Sequence, residues 1–331
     1  MQVIIPLAGK GTRLLPLTKQ VPKALVRVAG RPVMDYVMDT VRGTGLPVEE
    51  LIVITGHLKE TVEQYVREHY SVKARFVEQK ALNGTAGAVD LARPFVHGPV
   101  LIMFVDTLFD ADLTVMETSD ADAIIWAKEV EDYRHFGVVV TDATGHMVRI
   151  VEKPDTPVSN LANIGFYYVR DWHALFDGVS EVMRRPPGKG AEFYLTDAFQ
   201  HMVDHGRKLR VAEVRHWYDC GKVETLLETN HHLLEDGRAR QPEPPPPGCR
   251  FIAPVRIEEG VVIRNSTIGP NVTIEAGSEV RGSTIANSIL GRKVRVVDAT
   301  VQGTVVGDDQ VIEGRTVLGS VLAGGELAAA R

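Results

Sequence analysis

Residues 3 to about 232 alternate between short runs of β-branched residues and stretches in which apolar positions recur every three or four residues. Val3-Ile4-Ile5-Pro6-Leu7 is the first such run. Leu51-Ile52-Val53-Ile54 is another, and Val62, Tyr65, Val66 and His69 follow it at helical spacing. Further strands are predicted over 100–105, 123–127, 138–140, 164–169 and 209–214, and a helix over 223–234. Strands that alternate with helices predict a mainly parallel α/β sheet, whose ligands bind beyond the carboxyl ends of the strands.

The pattern then changes. Gln241-Pro-Glu-Pro-Pro-Pro-Pro247 fixes φ and removes backbone donors, so an extended linker is expected over 241–248. Beyond it aromatic residues almost vanish, and Ile257/Ile263, Ile268/Ile274/Val280, Leu290/Val296 and Val306/Ile312 recur every six residues. That period suits neither an α-helix nor a flat strand, but it suits a triangular solenoid with every sixth side chain in a stacked core. Ile-Gly-Pro-Asn-Val-Thr at 268–273 resembles a hexapeptide repeat of the left-handed parallel β-helices, with one-residue slips between Ile263 and Ile268 and between Val280 and Ile285. The expected organisation is an α/β domain over 1–240, the linker over 241–248, a β-helix over 249–322 and a tail over 323–331.

Length and charge narrow the chemistry. With 331 residues the chain has room for two domains, and a formal charge of −6 gives no basic surplus for a nucleic-acid backbone. Nucleic acid and membrane are therefore not expected as partners, and no apolar run is long enough to span a bilayer. Only Cys220 and Cys249 occur, without histidine or cysteine at metal-ligand spacing, so both are read as structural in a reducing cytoplasm rather than as zinc ligands. Self-association through the solenoid is expected.

The first strand runs into Ala8-Gly9-Lys10-Gly11-Thr12-Arg13, and Pro22-Lys23 follows. Two glycines let the backbone approach a ligand closely, and Arg13 and Lys23 add two positive charges, so the segment reads as a phosphate loop whose natural guest is a triphosphate. The dinucleotide fingerprint would need glycine where Leu14 stands, and the Walker loop needs Gly-Lys followed by Ser or Thr. An ordinary strand-to-helix turn is the plain alternative. The run 100–105 delivers Asp106 to a strand end, where a carboxylate can hold Mg²⁺ between triphosphate oxygens.

Gly9, Gly11, Thr12, Arg13, Pro16, Thr18, Pro22 and Lys23 together resemble the signature of the sugar-1-phosphate nucleotidylyltransferases, Gly-x-Gly-Thr-Arg, then Pro-x-Thr and Pro-Lys. The resemblance extends over residues 1 to about 320. It implies a Rossmann-like nucleotidyltransferase domain ahead of the β-helix, and a reaction in which a sugar-1-phosphate oxygen attacks the α-phosphorus of a nucleoside triphosphate and pyrophosphate leaves. In the family pattern Leu7, Ala8, Gly9, Gly11, Thr12, Arg13, Gln79, Gly84, Thr85 and Asp106 would bind the nucleotide. Gly137, Glu152, Lys153, Asn163 and Gly165 would bind the sugar phosphate. Arg13, Lys23 and Lys153 would carry catalysis. Trp217-Tyr218-Asp219-Cys220-Gly221 resembles the family's Trp-x-Asp-x-Gly segment and implies that Asp219 joins Asp106 on the cation.

Several readings stay open at this point. Asp106 and Asp219 taken singly suit turns or helix caps. Val105 stands where the family has glycine, so altered packing is expected there. Gln79, five residues before Gly84, suits the imide edge of uracil or thymine and favours UTP or dTTP. Gly84-Thr85-Ala86-Gly87 also resembles guanylyltransferase relatives, which keeps mannose-1-phosphate guanylyl transfer as an alternative to glucose-1-phosphate. Glu192-Phe-Tyr-Leu-Thr196-Asp197 and His57 are read as structural. A hexapeptide acyltransferase would want a histidine base beyond the linker, where there is none, and a noncatalytic regulatory homologue would have lost the charged residues retained here.

Overall fold

Val3, Ile4 and Ile5 are fully buried, and the strand they form has a neighbour on each edge. This strand, β1 (Gln2–Pro6), pairs in parallel with β4 (Glu50–Thr55) and β6 (Val100–Met103), and β5 (Ala74–Glu78) extends the parallel set beyond β4. The computed structural model describes residues 1–188 and 191–330. The chain forms two compact units, one of Met1–Gly9 with Val37–Trp217 and one of Lys10–Tyr36 with Tyr218–Arg331.

In the first unit β7 (Thr107–Ala111), β8 (Ala123–Glu129), β11 (Leu161–Val169) and β12 (Leu209–Asp219) complete the sheet in the order β5-β4-β1-β6-β11-β8-β12-β7. The hairpin of β9 (Gly137–Thr141) and β10 (Met147–Glu152) joins it through β11. All the strands expected from the sequence are present. The sheet is nevertheless mixed, since β11 runs antiparallel to both β6 and β8. Its register with β8 shifts between Asn163 and Tyr167, where Gly165 takes φ +77°. A bulge of this kind turns side chains away from the regular pleat.

Helices cover the sheet: α1 (Val33–Gly43), α2 (Lys59–His69), α3 (Thr85–Asp90), the single turn α4 (Val115–Thr118), α5 (Trp172–Arg184) and α6 (Leu195–Asp204). Asp171 caps α5 by accepting from the Ala174 amide at 3.0 Å, and Pro186-Pro187 follow its end, where no helical amide is available. Leu175, Phe176 and Val179 of α5 and Leu195, Ala198 and Phe199 of α6 share one core with Ile4, Ile52 and Ile102 of the sheet.

The second unit contains α7 (Val223–Leu233), the short strands β2 (Arg27–Val28) and β3 (Arg31–Pro32), and a parallel β-helix. Its short strands form sheets of five, six and four strands, the architecture of the expected left-handed coil. Three inward columns stack: Ile268, Ile285, Val301 and Val317; Ile257, Ile274, Leu290, Val306 and Leu322; Ile263, Val280, Val296 and Ile312. The expected tail does not end the solenoid: Glu326–Ala329 returns antiparallel along Ser320–Ala323. Residues 10–36 pack with the C-terminal residues, so the change of composition near 240 is not where the compact units divide.

The one-residue slips in the repeat have a physical cause. At the shortened corners a serine hydroxyl does the work of a backbone partner. Ser283 Oγ donates to Arg281 O at 2.7 Å and accepts the Ala299 amide at 3.1 Å, 16 residues on. Ser266 receives the Ser283 amide in the same way, and Ser288 receives that of Thr304. Ser283 is only 3% exposed, so losing its hydroxyl strands a buried amide. Ser283→Ala should destabilise the protein by about 1–3 kcal/mol in urea denaturation. A loss below roughly 0.5 kcal/mol would mean that the corner is satisfied by other means.

Candidate functional site

Each unit gathers part of the site expected from the sequence. In the first, β1 ends beside β4: the Leu7 amide donates to Ile54 O at 2.7 Å and the His57 amide to Ala8 O at 3.3 Å. A β-carbon at Gly56 would stand 2.8 Å from Ala8 O, so only glycine lets these strand ends close up. Gly9, by contrast, faces open space, which suits a backbone that a ligand must approach.

Gln79 and Gly84 are adjacent as expected. The Gln79 amide nitrogen donates to Asn83 Oδ1 at 3.1 Å and to Gly84 O at 3.2 Å, which commits its donor side to the loop. Gly84 has φ +104°, and Thr85 Oγ1 accepts the Leu195 amide at 2.9 Å. Thr85 therefore ties α3 to α6. Asp106 lies in the turn between β6 and β7, two residues after Phe104, whose amide donates to Gly165 O at 3.0 Å. Val105 is buried and has no positive φ, so the glycine usual there is not required by the backbone.

Gly137, Glu152, Lys153, Asn163 and Gly165 form one cluster around the β11 bulge. Asn163 Nδ2 donates to Gly137 O at 2.9 Å, and its Oδ1 accepts the Gly165 amide at 3.3 Å and the Tyr167 hydroxyl. The space above Gly137 is taken by Asn163 and Glu152, and that above Gly165 by the Phe104 ring at 3.1 Å. These glycines make room for neighbouring side chains. Burial pushes the Glu152 carboxyl above the usual range, against the attraction of Lys153.

Lys153 is held in the left-handed region at φ 44°, unusual for a long side chain, and its amide donates to Phe136 O at 2.9 Å. Backbone strain of this kind, of order 1–3 kcal/mol, is retained where surroundings enforce it and gathers at functional sites. The Lys153 ammonium lies 5.1 Å from the Tyr194 ring centroid and 3.9 Å from Glu152 Oε1.

Three participants escaped the sequence reading. The Thr196 hydroxyl, in the block read as structural, donates to Glu152 Oε2 at 3.1 Å. Tyr167 fixes Asn163, and Tyr194 lies against Lys153. Their motifs were visible as blocks, but which side chain turns inward depends on the bulge and on where α6 begins.

In the second unit the signature is built from tight 3₁₀ turns, Thr12–Leu14, Leu17–Lys19 and Lys23–Leu25, rather than a helix start. Gly11 enters the first at φ +61°, and a β-carbon there would stand 2.9 Å from the Thr18 methyl group. Thr18 Oγ1 also donates to Gly11 O at 2.9 Å. Thr12 and Arg13 are exposed and Lys23 is half-buried. A β-carbon placed on Gly221 would lie 2.8 Å from Asp219 Oδ1, 3.1 Å from Arg13 Nη2 and 3.2 Å from Lys23 Nζ. These three expected site residues therefore converge on one glycine.

Asp219 also does the local work of a turn residue: Oδ1 accepts the Gly221 amide at 2.7 Å and Oδ2 accepts Thr225 Oγ1 at 3.1 Å. Each oxygen accepts one such bond and keeps a lone pair, and carboxylate oxygens are hard donors suited to Mg²⁺. The Asp219 carboxylate suits the ion. Among the described residues no three His, Cys, Asp or Glu side chains gather as a metal centre. No disulfide joins Cys220 and Cys249, and no helix among the described residues is long and apolar enough to cross a membrane.

Comparison with known proteins places this arrangement. The family model described as nucleotidyl transferase matches residues 2–236. The bifunctional protein GlmU of Methanococcus aeolicus is 31% identical over 85% of this chain and 62% of its own length. The low-salt glycan biosynthesis nucleotidyltransferase Agl11 of Haloferax volcanii is 30% identical over 96% of this chain and 98% of its own. Glucose-1-phosphate thymidylyltransferase of Streptomyces griseus is 28% identical over 92% and 87%. This chain thus spans less than two thirds of the GlmU relative. A crystal structure of UDP-glucose pyrophosphorylase complexed with UDP-glucose superposes with a TM-score of 0.63 at 26% identity, over 71% of this chain and 98% of that one. With the match extending from the first strand through α7, the chain belongs to the nucleotidyl transferase family.

Proposed function

We propose that the chain transfers a nucleotidyl group from dTTP or UTP to a hexose-1-phosphate, with glucose-1-phosphate favoured, and releases pyrophosphate. The observation that carries this reading is the convergence of Arg13 and Lys23 of the signature motif with Asp219 on Gly221. Two cations beside a metal-binding carboxylate suit a polyphosphate and its ion. Relatives named for glucose-1-phosphate thymidylyl and UTP–glucose-1-phosphate uridylyl transfer support the pyrimidine and the sugar.

A phosphate oxygen of the sugar-1-phosphate forms a bond to the α-phosphorus of the triphosphate, and the bond from that phosphorus to the bridging oxygen breaks, sending both electrons to pyrophosphate. No base strong enough to deprotonate an alcohol is needed, because the nucleophile is already an anion. Positioning and charge neutralisation then supply the rate enhancement. Asp106 and Asp219 would each offer carboxylate oxygens to Mg²⁺, which when bound would supply charge neutralisation on the triphosphate. Arg13 and Lys23 stabilise the departing pyrophosphate, and Leu7, Ala8, Gly9, Gly11 and Thr12 bind the nucleotide. Lys153 binds the sugar phosphate, and Glu152 and Asn163 bond sugar hydroxyls. Since the Gln79 nitrogen is engaged by Asn83 and Gly84, its oxygen remains to accept the imide N–H of uracil or thymine. A chain carrying a β-helix is proposed to act as a homo-oligomer in the cytoplasm.

Pyrophosphate release should be measured with Mg²⁺ across dTTP, UTP, GTP, ATP and CTP against glucose-, N-acetylglucosamine-, mannose- and galactose-1-phosphate. The expected signal requires a pyrimidine triphosphate and is lost in Asp106→Ala. A signal with GTP and mannose-1-phosphate alone would overturn the role of Gln79, and silence throughout would favour a noncatalytic homologue. Lys153→Ala should lower turnover by roughly 10²-fold or more while nucleotide binding holds. Lys153→Gly should be equally slow but about 1 kcal/mol more stable than the alanine variant, because glycine relieves the positive φ. Equal loss of turnover and nucleotide binding in Lys153→Ala would count against its role on the sugar side.

A further inference from the structure

The outward side chains of the β-helix are treated very differently on different sheets. On the four-stranded sheet the outward residues Arg295 and Val311 are exposed, Val311 by 54%. On the six-stranded sheet the equivalent column runs Thr273, Ile289, Val305 and Val321, and these are 0%, 3%, 3% and 1% exposed. They alternate with the inward residues Val272, Ile274, Leu290, Val306 and Leu322, so the coil's own core does not bury them. This face is covered by α7 and by the segment Lys10–Tyr36, which carries the signature.

The cover is fastened along its length. Asn230 of α7 is fully buried, and its Oδ1 accepts the Thr273 hydroxyl at 2.7 Å and the Ala29 amide at 3.0 Å. Arg27 Nε lies 2.8 Å from Glu275 Oε2, and the Glu275 side chain is 1% exposed. Further along, a β-carbon on Gly307 would meet Leu17 Cδ1 at 3.3 Å, and one on Gly324 would meet Gln20 Nε2 at 2.8 Å. Lys19 Nζ reaches Glu326 of the closing hairpin at 2.6 Å. Between these anchors the loop braces itself through Thr18 on Gly11, against which Lys23 also lies, and it presents Arg13 and Lys23 beside Asp219.

We infer that the β-helix sets the geometry of the triphosphate loop, with Thr273, Glu275 and Glu326 acting as positioning residues for Arg13 and Lys23. The inference rests on the nucleotidyl-transfer reading above and gives the solenoid a part in catalysis beyond assembly. Neither ion pair is there chiefly for stability. An exposed pair such as Lys19–Glu326 contributes about 0–1 kcal/mol, and a buried pair such as Arg27–Glu275 spends most of its attraction on desolvation. What both provide is a register between loop and coil.

The test uses the full chain with dTTP or UTP in the forward direction and pyrophosphate with the nucleotide-sugar in reverse. Glu326→Lys should raise the KM for triphosphate and for pyrophosphate roughly five- to twentyfold, since small misplacements of positioned groups lower rates by up to about 10²-fold. The KM for sugar-1-phosphate should stay within about twofold, with little change in Tm, and the reversal Lys19→Glu with Glu326→Lys should restore the triphosphate KM. Glu275→Gln should show the same split between substrates even if its Tm falls. Wild-type kinetics in both single variants, failure of the reversal to restore, or parallel loss for both substrates would overturn the inference while leaving the transferase reading intact. An inactive unmodified chain would overturn that reading, and the inference with it.

Discussion

Two cationic side chains cannot be held around one glycine by their own charges. Unit charges about 5 Å apart near a protein surface repel by roughly 1–3 kcal/mol, and the site must keep Arg13 and Lys23 together before any phosphate arrives. Asp219 supplies one opposing charge, but its oxygens are also engaged by the Gly221 amide and Thr225. The remaining constraint is mechanical. Tight turns, a left-handed glycine at position 11 and the Thr18 brace leave the loop few alternative shapes, and its apolar underside, Leu14 and Leu17, is buried. Preorganisation of this kind lowers the reorganisation that binding would otherwise demand.

The first unit meets the same demand through backbone strain. Lys153 sits at positive φ, β11 bulges at Gly165, and Asn163 is held from both sides by Gly137, Gly165 and Tyr167. The positive φ of Lys153 is unfavourable alone. These conformations persist because Tyr167 packs against Phe199 at 4.7 Å, Phe104 lies on Gly165, and the buried sheet behind them admits no relaxation. A deeply buried aromatic core thus keeps a polar cluster in shape, and burial itself raises the Glu152 carboxyl.

The β-helix couples these ideas to sequence repetition. Its inward columns need only aliphatic residues every five or six positions, while corner serines supply the bonds that a shortened corner lacks. With inward packing satisfied by so simple a rule, the outward positions are free to differ between faces. One face is charged and open, and another is apolar and covered by the signature segment.

Much of this was legible in the chain. Periodicity marked the strands, the helix after residue 223 and the solenoid, because side-chain alternation and six-residue spacing are local consequences of backbone geometry. The glycines, Arg13, Lys23, Lys153 and the two aspartates stood out because their chemistry is specific and their spacing short. The antiparallel course of β11, the inward turn of Thr196 and Tyr194, and the pairing of Arg27 with Glu275 were not legible. Each depends on partners distant in sequence, and a hexad repeat reports which side chains point inward without indicating what will cover those that point out. The sequence by itself determined the elements and the charged groups; only the tertiary structure decided that the signature loop rests on the β-helix, because that choice is made by burial between segments more than two hundred residues apart.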